Sequence, residues 1–163
     1  MSGVDPESVL IGTIDSWAAW TLSGGTAHIT DHTNAAVTGL YGLSGDGWDE
    51  TACGIFGLDP GSLPRILDSC GELAIAEALP GSPPIRAIAG DQQASMIGQS
   101  CVAPGVAKIT FGTGGMLDMV VGGEAPAEAR RAANGCFPII GWAEGGTREW
   151  GIEAVMQIGR AHV

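Results

Sequence analysis

Lysine is almost missing from this chain: Lys108 stands alone, and the 7 basic residues face 18 acidic ones for a net charge of −11. So acidic a surface repels nucleic acid and anionic lipid, and neither is expected as a partner. A bound phosphate would have to rest on backbone amides, a metal ion or groups supplied from elsewhere, and the balance favours Mg²⁺. CxxC spacing is absent too. Cys53, Cys70, Cys101 and Cys136 are scattered, and neither His28 nor His32 stands at ligand spacing from any of them. That argues against zinc and for the reduced thiols of a cytosolic protein. No apolar run approaches the roughly 20 residues that span a bilayer. The opening MSGVDPES lacks the basic start and apolar centre of a signal peptide, so a cytoplasmic location is expected.

What is present describes a folded chain. Over 163 residues, 45% are hydrophobic and 15% charged, enough for one core or two small ones. The closing QIGRAHV matches the translation of a common sequencing adapter, so residues 158–163 are expected not to be protein sequence. On that reading the natural chain continues past Met156, and the abrupt VLIGTIDSWAAW near the start suggests an internal fragment.

Ile14, Trp17, Ala18 and Leu22 share one helical face after Thr13, a plausible N-cap, and Gly24 and Gly25 stop that helix. HITDHTNAAVTGLYGL reads as a short strand leading into a helical or irregular run. Asp49 and Glu50 open a further helix toward Phe56; LDPGSLPRI and Pro80 to Pro84 read as loops. Ile85 to Ala89 is strand-like, and a helix follows from Asp91 to about Cys101. Two β-hairpins come next. One joins Ala107–Phe111 to Met116–Val121 through glycines, and the other is FPIIGWAEGGTREWGI. Together they predict an antiparallel meander opening a new domain near Ala103 to Gly105.

The segment most telling for chemistry is GDQQASMIGQSCVAPGVAKITFGTGGM, Gly90 to Met116. It sets Asp91 a fixed distance before a glycine-threonine-glycine turn. A carboxylate opening a helix can receive the proton of an attacking hydroxyl, and glycines between strands free N–H groups to face phosphate oxygens. Each residue has a plainer role to weigh: Asp91 also suits a helix N-cap, Thr113 an ordinary hairpin turn, and Gln92 and Gln93 a solvated helix face. Asp15, Asp31 and Asn34 read as capping or turn residues. Trp17, Trp20, Trp48, Trp142 and Trp150 read mostly as core or strand-face residues.

GDQQA, GQ-C, AK-T-GTG, and the earlier GTIDSW, TDHTNA and GWD, taken in order and spacing from Leu10 to Met156, resemble the glycerol kinases of the FGGY carbohydrate kinase family. The resemblance implies an α/β fold of actin-like, ribonuclease-H-like type, here incomplete. Residues 1–103 would be the end of the N-terminal substrate domain, and 104–157 the first hairpins of the C-terminal nucleotide domain. It implies ATP and Mg²⁺ as cofactors and a small polyol as substrate, glycerol going to glycerol 3-phosphate. Asp91 would be the catalytic base and a substrate ligand, Gln92 a second substrate ligand, and Gly112, Thr113 and Gly114 the phosphate-contacting turn. No residue is assigned to the metal. The parent is compatible with a homo-oligomer, and the fragment alone is expected to be inactive. Glu153 falls where the family has an LEG-like motif, and suits either a cleft wall or a helix start.

The chain also departs from the pattern. ITFGTGGM stands where glycerol kinases read NTYGTGCF, and Asn34-Ala35-Ala36-Val37-Thr38 replaces an NASRT-like run. A family kinase for another polyol or a pentulose therefore stays open, as does a non-catalytic sugar-responsive protein of the same fold.

Overall fold

The structure, a computed structural model, describes residues 9–42, 47–112, 114–126 and 135–156. Thr113 and the adapter-like residues 158–163 lie outside the described residues. The chain divides into two compact units, Met1–Ala89 and Gly90–Val163. The domain division expected at 103/104 refers to a longer protein and is taken up below.

In the first unit, helix α1 spans Ile14–Leu22. Thr13 occupies the N-cap position, but its hydroxyl donates to the Asp15 carboxylate rather than capping the helix. At the other end Gly24 and Gly25 turn left-handed, with φ of 67° and 85°, and the Gly25 N–H closes on the Trp20 carbonyl at 2.8 Å. The helix buries its small residues, Ser16 and Ala19, whereas Ile14 and Trp17 on the face marked by periodicity are 84% and 69% exposed. Trp20 is exposed as well, so two of the five tryptophans lie outside the core of this chain.

Strand β1 (Ile29–Asp31) leads into α2 (His32–Ala36), then α3 (Glu50–Phe56), and β2 (Arg65–Leu67) returns parallel to β1. Asp31 is fully buried and caps α2: Oδ1 accepts from Asn34 N at 3.0 Å, Asn34 Nδ2 at 2.8 Å and Thr33 Oγ1 at 2.8 Å, and Oδ2 from Ser69 Oγ at 2.6 Å. Asp49 caps α3 through Ala52 N at 2.9 Å. Part of the expected LDPGSLPRI loop is regular, because Asp59 caps a 3-10 turn at Pro60–Ser62 and Arg65 already belongs to β2. Strands β3 (Cys70–Ile75) and β4 (Pro84–Ala87) pair antiparallel across a bulge, with β3 a strand the sequence reading passed over.

The second unit opens with α4, Asp91–Gly98, packed on a four-stranded sheet. The strands are β5 (Ala107–Phe111), β6 (Gly115–Gly122), β7 (Cys136–Glu144) and β8 (Thr147–Met156), all pairing antiparallel. Both expected hairpins form. Their order is β5-β6-β8-β7, which corrects the meander: β8, not β7, lies beside β6. Gly151 permits that pairing, since a Cβ there would stand 2.9 Å from the Met119 carbonyl and 3.1 Å from Ile139 Cγ1. Met96 of α4 joins Cys101, Val120 and Ile139 in the core, flanked by Phe137 and Trp142. None of the four cysteines is bridged, and no helix among the described residues is long and apolar enough to cross a membrane.

Candidate functional site

Register lines up three charged residues from three neighbouring strands. Lys108 of β5 stands opposite Asp118 of β6, and Asp118 opposite Glu153 of β8, so side-chain alternation puts all three on one face of the sheet. Thr110, two residues along β5 from Lys108, shares that face. Burial inverts the usual pattern on β5, with Lys108 3% exposed against 46% for Ile109 and 74% for Phe111.

Within the row Lys108 is fully engaged. Lys108 Nζ donates to Asp118 Oδ2 at 2.6 Å, to Gln92 Oε1 at 2.7 Å and to Thr110 Oγ1 at 2.8 Å, which uses all three ammonium hydrogens. Thr110 Oγ1 donates in turn to Gln92 Oε1 at 3.0 Å. The lysine is therefore a structural cation and not a loose phosphate ligand. Asp118 Oδ1 is buried without a hydrogen-bond partner among the described residues. Glu153, opposite it, has its pKa raised to about 7, first by burial and then by the neighbouring Asp118 carboxylate; Lys108 opposes the rise and Asp91 adds to it. A proton on Glu153 would offer Asp118 Oδ1 a donor.

Asp91 opens α4 with Gly90 as the N-cap residue, which removes the N-cap reading of Asp91. Its side chain is exposed, and Oδ1 accepts from the Gln92 N–H at 2.8 Å. Gln92 is half-buried on the Lys108–Thr110 pair; Gln93, expected to be solvated, is 4% exposed because it sits on the sheet side of α4 with Met96. Gly112 N donates to Gly114 O at 2.9 Å, closing the turn between β5 and β6. Among the described residues a Cβ on Gly112 would meet only that carbonyl, at an ordinary 3.8 Å, so their packing does not demand a glycine there. Glu153 lies within β8, not at a helix start.

The structure thus brings Gln92 onto the strand that runs into Gly112, and keeps Asp91 exposed at the same helix end. Sequence reasoning missed Thr110 and Asp118, although an aspartate inside the apolar GMLDMVVG was a visible signal. A cavity of about 420 Å³ in the first unit is lined by Leu10, Gly12, Thr13, Ser16, Trp17, Trp20 and His28. It holds no carboxylate and none of the residues picked out for chemistry, of which Asp91 and Gln92 stand on α4.

Residues 4–98 match the model of the FGGY family of carbohydrate kinases, N-terminal domain. The chain belongs to that family. A glycerol kinase from Aromatoleum aromaticum is 43% identical over 154 residues, covering 93% of this chain and 30% of that protein. One from Dechloromonas aromatica is 42% identical with the same coverage. The crystal structure of Plasmodium falciparum glycerol kinase with ADP aligns with a TM-score of 0.79 at 30% identity, over 90% of this chain and 29% of that one. A xylulose kinase from Lactobacillus acidophilus, at 19% identity and a TM-score of 0.69, shares the fold alone. The chain spans about 30% of the length of the relatives it matches. The expected fold class, a partial actin-like, ribonuclease-H-like α/β fold, is the one these FGGY kinases have.

Proposed function

We propose that the intact protein carrying this chain is a cytoplasmic kinase that transfers the γ-phosphoryl group of ATP to a hydroxyl of glycerol. The hydroxyl oxygen bonds to the γ-phosphorus, the bond from that phosphorus to the bridging oxygen of ADP breaks, and the hydroxyl proton passes to the Asp91 carboxylate. Gln92 holds the substrate beside Asp91. Gly112, Thr113 and Gly114 face the phosphate, where their N–H groups and the threonine hydroxyl stabilise charge on the transferring oxygens. Residues 1–103 are the end of its substrate domain and 104–157 the start of its nucleotide domain, a division supported by the family match ending at residue 98.

One observation carries the reading. The hydrogen bond from Thr110 to Gln92 ties the start of α4 to the strand entering the glycine turn, so the two halves of the motif meet in one unit. That no described residue crowds Gly112 adds support, since bare backbone suits close approach of a ligand. Mg²⁺ fits this donor set. Asp91 is a single exposed carboxylate, and no group of three His, Cys, Asp or Glu suited to a metal occurs among the described residues. Mg²⁺ commonly takes one or two carboxylates and completes its shell with phosphate oxygens and water. When bound, it neutralises phosphate charge.

The test is ATP-dependent phosphorylation by the full-length protein across glycerol, other polyols and pentuloses, followed as ADP release with Mg²⁺ present. Glycerol is expected to give the highest kcat/KM. A higher value for a pentulose would reassign the substrate, and polyol binding without any turnover would reject the kinase reading. The 163-residue chain alone is expected to be inactive.

A further inference from the structure

The second unit holds one feature that phosphotransfer does not use: a lysine and an aspartate, both with side chains 0% exposed, paired directly beneath Gln92. A carboxamide has a donor end and an acceptor end, and substrate recognition depends on which end faces out. Here the choice is made by what lies below. Gln92 Oε1 accepts from an ammonium at 2.7 Å and a hydroxyl at 3.0 Å; a flipped amide would press N–H hydrogens against that ammonium. Asp118, on the neighbouring strand, keeps the ammonium in place at 2.6 Å.

We propose that the buried Lys108–Asp118 pair is a positioning device that locks the Gln92 amide with its Nε2 donor end toward the substrate. Glycerol would then offer an oxygen lone pair to Gln92. A hydroxyl that accepts from Nε2 keeps its own hydrogen for the neighbouring Asp91 carboxylate. Thr110 is the second half of the device, because it shares the Gln92 oxygen with Lys108. The inference rests on Gln92 being a substrate ligand.

The experiment is a double-mutant cycle in the full-length protein with glycerol as the varied substrate. Lys108→Met together with Asp118→Leu removes both charges at once, which avoids stranding a buried ion. Its KM for glycerol is expected to rise about tenfold, the effect of a lost hydrogen bond, with kcat falling far less and the KM for ATP within about twofold. In a Gln92→Ala background the same pair of changes is expected to add nothing, because the device acts only through Gln92. Effects that add in full would overturn the inference and leave Gln92 as a ligand. If Gln92→Ala itself left the KM unchanged, the ligand reading would fall, and the inference with it. Should the charge-free variant fold poorly, Thr110→Val in both backgrounds decides: a KM rise that vanishes without Gln92 supports the lock, and one that persists rejects it.

Discussion

Lys108 and Asp118 face each other across neighbouring strands with 2.6 Å between Nζ and Oδ2, and neither side chain reaches solvent. Taking two charges out of water is costly, and breaking such a pair is costlier than replacing it. Lys108→Met alone is therefore expected to destabilise the intact protein by about 3–5 kcal/mol, because Asp118 is left charged and buried. Lys108→Met with Asp118→Leu should fall within about 1 kcal/mol of the parent. Urea midpoints of the three proteins check this, and equal losses in the single and double variants would count against the pair as a coupled unit.

Glu153 makes stability depend on pH in a defined window. Its folded pKa is raised to about 7 from 4.5, so between those values the folded state holds a proton that the unfolded chain has released. Stability from this group is present below about pH 4.5, falls as pH rises, and is gone above about 7, with a ceiling of about 3 kcal/mol. Glu153→Gln keeps a donor for Asp118 at every pH. The difference in unfolding free energy between variant and parent is expected to grow in the variant's favour from pH 5 to 8; a flat difference would reject the raised Glu153 pKa.

Asp91→Asn should leave the fold and ATP binding nearly unaltered. An asparagine Oδ1 still accepts from the Gln92 N–H, but it takes no proton from an attacking hydroxyl. We expect kcat to fall roughly 10²- to 10⁴-fold with a similar melting temperature. Retained turnover would reject Asp91 as the base.

Asp31 is a fold residue rather than a chemical one. Both of its oxygens are engaged from inside the first unit, and Ser69 reaches it from 38 residues away. Asp31→Ala is expected to cost about 3 kcal/mol, combining a lost helix cap with stranded buried donors. Thermal unfolding reads this directly, and a shift of less than about 2 °C would show the network to be dispensable.

Much of the local structure was legible in the residues. Asp49 before Glu50 marked α3, the glycine pair at 24 and 25 marked the end of α1, and both hairpins fell where alternation met glycine. What misled was facing. Ile14 and Trp17 share a helical stripe yet are exposed in this chain, whose first unit buries Ser16 and Ala19 instead. On β5, alternation separated Ile109 and Phe111 from Lys108 and Thr110 without saying which pair turns inward.

Motif order alone determined the family and singled out Asp91, Gln92 and the glycine turn, since backbone freedom and helix starts are local properties written in neighbouring residues. Only the tertiary structure decided that β8 inserts beside β6, and hence that Glu153, Asp118 and Lys108 form one row beneath Gln92. Strand order and register join residues tens of positions apart, and local periodicity carries no information about them.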